Sequence, residues 1–208
     1  MSNNTGDDQL HEEIMRATAA ALGERGFAEL TMRAVAARTT ASKSTLHYRY
    51  DSKEGLITAL LEWLGENTAR QFEQFADDPP LPRLVGLLDD NLRRIEDPEQ
   101  APLHAAYLEI HARASRTEAY REALATTDRR YREELATIVE EGIDAGVFRD
   151  VDPWTTATLL VAVPDSAGLH AATLGNENAV EDLRSAVNEL LLESLLAENV
   201  DVEKGDLL

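Results

Sequence analysis

The chain has 208 residues, of which 39 are acidic and 20 are lysine or arginine, and its formal net charge is −19. This length allows one sizeable core or two small domains. The absence of cysteine excludes disulfides and thiolate metal sites. The longest apolar run, residues 158–163, is far too short to span a bilayer, and the polar N-terminus is unlike a signal peptide. We therefore expect an intracellular, cytoplasmic protein with no membrane partner.

The negative charge is distributed unevenly along the chain. Residues 10–56 carry seven basic and six acidic side chains, a net charge of +1, so the rest of the chain carries −20. A segment that contacts a phosphate surface should not carry an excess of acidic residues. The alternative, that acidic residues simply cover exposed helices, would explain the charge of −20 but not the near-neutral charge of residues 10–56.

The basic residues are almost all arginine, since Lys43, Lys53 and Lys204 are the only lysines. An acid-rich, lysine-poor surface is typical of proteins from a salt-loaded cytoplasm, where screening removes self-repulsion. The composition therefore predicts an acidic, halophile-like surface.

Apolar residues at helical spacing predict an all-α protein of about nine helices, with no strand signal. Residues 1–9 are predicted to be a disordered N-terminus. The first helix is predicted over about residues 10–24, with Gly26 just past its end as the C-cap.

Residues 31–53 predict two short helices joined by a tight turn, with Thr31 and Ser42 as N-caps. In the second helix, Leu46 and Tyr50 lie one turn apart and can close on the first helix. The opposite face then carries four side chains that can donate a hydrogen bond or stack, none of them acidic: Lys43, Ser44, His47 and Tyr48. A short helix with such a face is suited to entering a DNA major groove.

The segment AVAARTTASKSTLHYRYDSKEGLI, residues 34–57, resembles the helix-turn-helix signature of the TetR family of transcriptional regulators. That pattern has an Ala-rich helix, a Gly-Val-Ser-like turn, a Thr-Leu-Tyr-x-His/Tyr-Phe recognition helix and a Ser-Lys-Glu-x-Leu start of the next helix. Three residues depart from it: Thr40 replaces the turn glycine, His47 the first tyrosine and Tyr50 the phenylalanine. A threonine where a positive φ is needed would be strained, so we expect a turn of slightly different shape.

The resemblance implies a division of labour along the chain. Residues 10–56 would form the helix-turn-helix DNA-binding domain, residues 57–200 an effector-binding and dimerisation domain, and residues 201–208 a C-terminal tail. The implied base-reading residues are Arg33, Lys43, Ser44, His47 and Tyr48. The implied DNA phosphate contacts are Thr31, Thr45, Arg49 and Lys53.

The remaining helices follow from apolar spacing and from Pro and Gly punctuation. The fourth helix would join both domains as one rod. Asp152 and Pro153 are a typical N-cap and N1 pair for the eighth helix. The predicted ranges of the fourth to ninth helices are about 52–75, 82–95, a helix that begins near 102, 118–145, 153–174 and 178–198.

The last two helices carry more apolar surface than one small domain can cover, which indicates a partner. In the family these helices pair with their copies in a four-helix dimer interface. The expected interface residues are Leu159, Leu160, Val163, Leu183, Val187, Leu190 and Leu191. The open alternative is that both helices fill a monomer core.

Polar groups among aromatic ones suit a small-molecule site between helices. The candidate effector-pocket residues are Trp63, Phe72, His104, Tyr107, His111, Tyr120, Asp165 and His170. Pro164 should kink the eighth helix and open a pocket wall beside it. For each of these residues a purely structural role is the open alternative.

No enzyme, cofactor or metal site is expected. The sequence lacks a nucleophile–base arrangement, a phosphate-binding glycine loop and an HExxH-type metal pair, and His104 and His111 lie two turns apart, too far for one ion. The expected protein is a homodimeric repressor that binds a double-stranded DNA operator and is released by an unknown small-molecule effector. The alternative is an all-helical small-molecule-binding or structural dimer that does not bind DNA.

Overall fold

The computed structural model describes residues 4–174, 178–198, 200 and 207–208. Within these residues the chain is helical and has no strand, which confirms the all-α fold class. The helices are α1 (Asn4–Glu29), α2 (Met32–Ala36), α3 (Lys43–Tyr50), α4 (Lys53–Gln74), α5 (Pro80–Glu96), α6 (Ala101–Ala114), α7 (Glu118–Asp144), α8 (Pro153–Leu174), α9 (Ala179–Ala186), a π-helical segment (Val187–Leu192) and α10 (Glu193–Leu195). Residues 201–206 of the predicted C-terminal tail lie outside the described residues.

The first helix begins earlier than the sequence indicated. α1 starts at Asn4, so the prediction that residues 1–9 are disordered is wrong for residues 4–9. Asp7 accepts a hydrogen bond from the Arg49 side chain, which ties the start of α1 to α3. Gly26, at φ 73°, interrupts the helical backbone where the sequence placed the C-cap.

The chain divides into two compact units, which we call the head unit and the body unit. The head unit comprises Met1–Glu66 and Ala101–Thr126, and the body unit comprises Asn67–Gln100 and Thr127–Leu208. α6 and the first part of α7 therefore group by compactness with the helix-turn-helix segment. The functional boundary after residue 56 stays a prediction.

The core of the head unit is built by α1, α2, α3, α4, α6 and the start of α7. Its members come from the helical spacings that the sequence displayed, and the largest fully buried ones include Ile14, Leu22, Leu46, Leu56 and Leu60. The hydroxyl of Thr18, also buried, donates to the Ile14 carbonyl at 2.7 Å, so this polar group is satisfied within α1.

The body unit has its own, separate core. Fully buried members are Leu84, Leu88, Leu135, Ile138, Leu160 and Leu192. Tyr131 is half-buried against them; its hydroxyl accepts a hydrogen bond from the Asn91 amide at 2.7 Å, and its ring lies edge-on to Phe72 at 5.1 Å. Burial raises the pKa of the Tyr131 hydroxyl far above its ordinary value, so it acts as a neutral core group.

α8 is the most apolar helix of the body unit. It passes through Pro164, and its length and composition would suffice to cross a bilayer, with a mean hydropathy of 1.2 over its most apolar stretch. Only 22% of that stretch is buried. Leu159, Leu169 and Leu174 are among the exposed apolar side chains of this helix.

Candidate DNA-binding surface

The short helices α2 and α3 begin as the sequence predicted. The Thr31 hydroxyl oxygen accepts the Ala34 N–H at 3.1 Å, and the Ser42 hydroxyl oxygen accepts the Thr45 N–H at 3.1 Å. Both N-caps satisfy backbone donors that would otherwise have no partner. Leu46 is fully buried, which anchors α3 from behind.

The opposite side of α3 faces outward. We call Lys43, Ser44, His47 and Tyr48 the reading face: all four are exposed, and Tyr48 is 90% exposed. Arg33, on α2, is exposed as well. A phenol ring left this open to water has no packing role within the protomer, so the reading face is available to a partner.

The turn before α3 is held by a residue that the sequence reasoning missed. Thr40 does not have a positive φ, so the strain expected there does not arise. Among the described non-glycine residues, the one with a positive φ is Asp51, at 52°. The Glu13 carboxylate accepts the N–H of Thr40 at 2.6 Å and its hydroxyl at 2.7 Å. These two hydrogen bonds lower the pKa of Glu13. Thr40 and Glu13 are 27 residues apart, so no local pattern in the sequence indicated this contact.

The four residues predicted to contact phosphate all make contacts within the chain. The Arg49 guanidinium pairs with Asp7, and the Thr45 hydroxyl lies 2.8 Å from the Ser42 hydroxyl, while Thr31 serves as the α2 cap. Lys53 is turned toward the end of α1, where its ammonium group donates to the Phe27 carbonyl. Their phosphate contacts stay predictions, and for Arg49 and Lys53 they require leaving these partners.

Phe27 is the centre of a charged cluster in the head unit. The Lys53 ammonium nitrogen lies 4.1 Å from the centre of its ring, and the Arg113 guanidinium carbon lies 3.9 Å from it. The Glu109 carboxylate accepts the Phe27 N–H at 2.8 Å and a hydrogen bond from Arg113 at 3.1 Å. The Tyr120 ring packs edge-on to Phe27 at 6.3 Å.

The electrostatics of this cluster follow from those contacts. The Phe27 N–H, with Arg113 and Lys53, lowers the pKa of Glu109 despite partial burial. Burial and repulsion by Arg113 lower the pKa of Lys53, outweighing the attraction of Glu109. Burial, with the charge of Glu54, raises the pKa of Tyr120 to about 12. Glu109 and Phe27 are 82 residues apart, and no local pattern indicated their contact.

The candidate effector residues are divided between the two units. Trp63, His104, Tyr107, His111 and Tyr120 belong to the head unit, and Phe72, Asp165 and His170 to the body unit. In the head unit the Tyr107 and His111 rings meet edge-on at 4.5 Å, whereas Tyr120 packs on Phe27. In the body unit, Phe72 packs on Tyr131, and the charge of Asp165 raises the pKa of the same tyrosine. Tyr131, which the sequence reasoning missed, thus connects two candidates.

The predicted interface residues fall into two groups. Leu160 and Val187 are buried in the body core, so the prediction that they meet a partner is wrong: each lies on the inward side of its helix. Leu159 and Leu190 are 54% and 75% exposed, and Val163, Leu183 and Leu191 are half-buried. Leu169 and Leu174 add to the exposed apolar surface of α8.

Comparisons with known families now identify the fold. Residues 14–60 match the model of bacterial regulatory proteins of the tetR family, and residues 80–196 match that of the BetI-type transcriptional repressor C-terminal domain. The chain belongs to the TetR family. It is therefore a DNA-binding regulator with an N-terminal helix-turn-helix domain and a C-terminal helical domain, and not an enzyme.

Solved structures agree with this assignment. A TetR transcription regulator from Haloarcula marismortui is 32% identical, with a TM-score of 0.82 over 91% of this chain and 99% of that one. A TetR-family structure from Rhodococcus sp. is 26% identical, with a TM-score of 0.73 over 87% and 97%. Reduced NemR from E. coli, 17% identical with a TM-score of 0.75 over 92% and 100%, shares the fold. A comparison with curated protein sequences found no match.

Proposed function

We propose that the protein is a homodimeric repressor that binds operator DNA through the reading face and leaves it when a small molecule binds. The observation that carries this proposal is the outward presentation of Lys43, Ser44, His47 and Tyr48 on a helix anchored by fully buried Leu46. This face offers donors and an aromatic ring that can meet base edges, and it has no carboxylate that the phosphates would repel.

The individual DNA contacts follow from side-chain chemistry. Arg33 or Lys43 donates to guanine O6 and N7, and Ser44, His47 and Tyr48 meet neighbouring base edges. Thr31, Thr45, Arg49 and Lys53 contact phosphates, which fix position without reading sequence. Lys53 opens α4, where its charge adds to the anion-binding end of that helix.

Dimerisation follows from the exposed leucines of the body unit. Leu159 on α8 and Leu190 in the π-helical segment leave apolar surface in water that a second copy would cover. Two reading faces on one dimer must lie about 34–36 Å apart to enter successive major grooves on one side of the duplex.

Release by a ligand is a population shift. A ligand that prefers a dimer with a different spacing draws molecules away from DNA, by no more than its differential affinity for the two states. The BetI-type repressor match supports repression over activation. The aromatic and acidic residues around Tyr131 support an effector site in the body unit.

A cytoplasm rich in salt is the environment we propose for the protein. The net charge of −19 and the 32% identical Haloarcula marismortui relative both support it. High salt would then screen the repulsion between carboxylates. We expect the free energy of unfolding to rise with KCl concentration; equal stability in dilute buffer and molar KCl would contradict a halophilic origin.

DNA binding is tested by fluorescence anisotropy with the promoter DNA flanking the protein's own gene and with a scrambled fragment of equal length. We expect the promoter fragment to bind about 10³-fold or more tightly than the scrambled one at the same salt concentration. Lys43→Ala should lower the ratio of promoter to scrambled affinity. Arg129→Ala, which removes an equal charge from exposed α7, should leave that ratio unchanged. Equal affinity for both fragments would contradict sequence-specific reading by this face.

A further inference from the structure

The head unit contains a cleft beside the helix-turn-helix segment, and it shares one residue, Lys53, with the proposed phosphate contacts. It has a volume of about 580 Å³ and lies among the end of α1, the start of α4 and the corner between α6 and α7. We call it the corner cleft. Its charged and aromatic lining consists of Phe27, Lys53, Glu54, Glu109, Arg113, Arg116 and Tyr120.

We propose that the corner cleft binds a small oxyanion, a free carboxylate or phosphate. The first argument is its charge: three cations, Lys53, Arg113 and Arg116, face two carboxylates in a protein whose net charge is −19. A local excess of positive charge is unusual in such an acidic chain. The chain does not need these cations for solubility, which its carboxylates already provide. Cations beside a cavity therefore indicate an anionic ligand.

The second argument is that one carboxylate is already occupied. Glu109 uses one oxygen for the Phe27 N–H and the other for Arg113. Lys53 therefore has the Phe27 carbonyl and ring as partners, both neutral, and shares that ring with Arg113. Two cations approach one ring with a single carboxylate between them. An anion in the cleft would relieve this repulsion, which adds to the effect of burial in lowering the pKa of Lys53.

The third argument is Arg116, on the α6–α7 corner. Its side chain is exposed and makes no hydrogen bond or ion pair with any residue that the structure describes, although it lines the cleft. Its neighbour Arg113, by contrast, is paired with Glu109. A guanidinium with an open planar fork binds carboxylate or phosphate oxygens in bidentate fashion. Arg116 supplies this fork, and Lys53 and Arg113 supply the positive field behind it.

A bound oxyanion would join the α6–α7 corner to Phe27 and Lys53 at the edge of the helix-turn-helix segment. The site differs from the predicted effector residues of the body unit, because every lining residue belongs to the head unit; it shares Tyr120 with the effector candidates of the head unit. The inference does not depend on operator binding, since the anion is titrated with no DNA present.

Isothermal titration calorimetry tests the site directly. Inorganic phosphate and benzoate are titrated separately into the full chain at constant ionic strength, balanced with KCl. We expect one of them, or both, to saturate at one anion per chain. Arg116→Gln should weaken the binding at least tenfold, because it removes the fork from an exposed position that the fold does not need. Arg129→Gln, the same change on exposed α7, should leave affinity within twofold.

Either of two calorimetric results would overturn the proposal. One is the absence of saturable heat with both anions; the other is equal affinity of Arg116→Gln and Arg129→Gln for the anion that binds. A second experiment, with DNA, distinguishes the two possible sources of the oxyanion, a free small anion and the DNA backbone. Without added phosphate or benzoate, Arg116→Gln and Arg129→Gln should bind random DNA equally. A loss confined to Arg116→Gln would mean that the arginine meets the DNA backbone and would reject a free small anion. Matching circular dichroism spectra verify that both variants are folded.

Discussion

The head unit and the body unit bury similar leucine-rich cores but leave opposite kinds of side chain in water. The head unit exposes the polar reading face, with Tyr48 90% exposed over fully buried Leu46. The body unit exposes aliphatic groups, with Leu190 75% and Leu159 54% exposed. The core stabilises each unit, whereas the exposed side chains indicate what that unit binds.

The chemistry of each exposed surface specifies a different partner. Polar, non-acidic groups stay hydrated until a polyanion offers better hydrogen bonds. Leucine in water costs about 25 cal/mol for each Å² that a partner could cover. Residues 10–56 carry +1 and the rest of the chain −20, so the segment that contains the reading face is the part that phosphate repels least. The head unit is suited to DNA, and the exposed leucines of the body unit support the proposed dimer.

The largest expected effect concerns the buried side of α3. Leu46→Ala should lower the free energy of unfolding by about 2–5 kcal/mol, because it leaves a cavity in the head core. Tyr48→Ala, two residues away, should change it by no more than about 0.5 kcal/mol. Denaturant unfolding at fixed KCl measures both. A Leu46→Ala cost near that of Tyr48→Ala would mean that α3 is not anchored by this residue.

A charge on the apolar face of the body unit should come next in size. Leu159→Glu should weaken dimerisation by about 1.5–3 kcal/mol, which is the burial energy that the leucine loses. The control is Ala125→Glu, which adds the same charge to exposed α7. Sedimentation equilibrium gives both dissociation constants. A dimer that tolerated Leu159→Glu as well as the control would place the interface elsewhere.

Removing one base contact from the reading face should relax sequence preference. Lys43→Ala is expected to lose about 1–3 kcal/mol of discrimination at one base pair and little affinity for random DNA. Binding to a panel of operators with single substitutions locates that base pair. Uniform weakening on every sequence would make Lys43 a phosphate contact instead.

A smaller effect is expected where α1 pairs with a predicted phosphate contact. Asp7→Asn releases Arg49 and removes a negative charge, so binding to all DNA should tighten by about 0.2–1 kcal/mol. The slope of log affinity against log salt should steepen by about one. Glu29→Gln, an equal charge change on the same helix, is the control. Identical slopes for the two variants would show that Asp7 does not compete with phosphate.

The smallest effect is on stability at acid pH. Each unit has a carboxylate whose pKa is lowered by hydrogen bonds. Hydrogen bonds from Thr40 lower the pKa of Glu13 in the head, and hydrogen bonds from Thr155 lower that of Asp152 in the body. A lowered folded-state pKa gives stability that is present above the unfolded value and is lost as pH falls through the folded one. Glu13→Gln should therefore flatten the loss of stability below about pH 4.5. Unfolding midpoints from pH 6 to 3 measure it, and an unchanged acid limb would contradict the contact.

The local part of this structure could be predicted from the sequence. The Thr31 and Ser42 caps, the inward Leu46 and the outward Tyr48 all follow from residues within one helical turn of each other. Helix periodicity likewise located α8 at the range observed. These features depend on neighbouring residues, which the sequence displays directly.

The remainder depends on contacts between distant residues. Glu13 meets Thr40 across 27 positions, and Glu109 meets Phe27 across 82, so neither contact leaves a local pattern. The apolar stripes of the last two helices could not be divided by sequence alone into core and interface. Leu160 and Leu159 look alike there, and only packing separates the buried one from the exposed one.

The most direct test of the account is the ratio of affinities for own-promoter and random DNA in a His47→Ala, Tyr48→Ala double variant. Both side chains are exposed, so the variant should unfold at the same denaturant concentration as the original protein. The account predicts that its affinity ratio, measured by anisotropy at one salt concentration, falls at least tenfold. A ratio equal to that of the unsubstituted protein would show that this side of α3 does not read DNA.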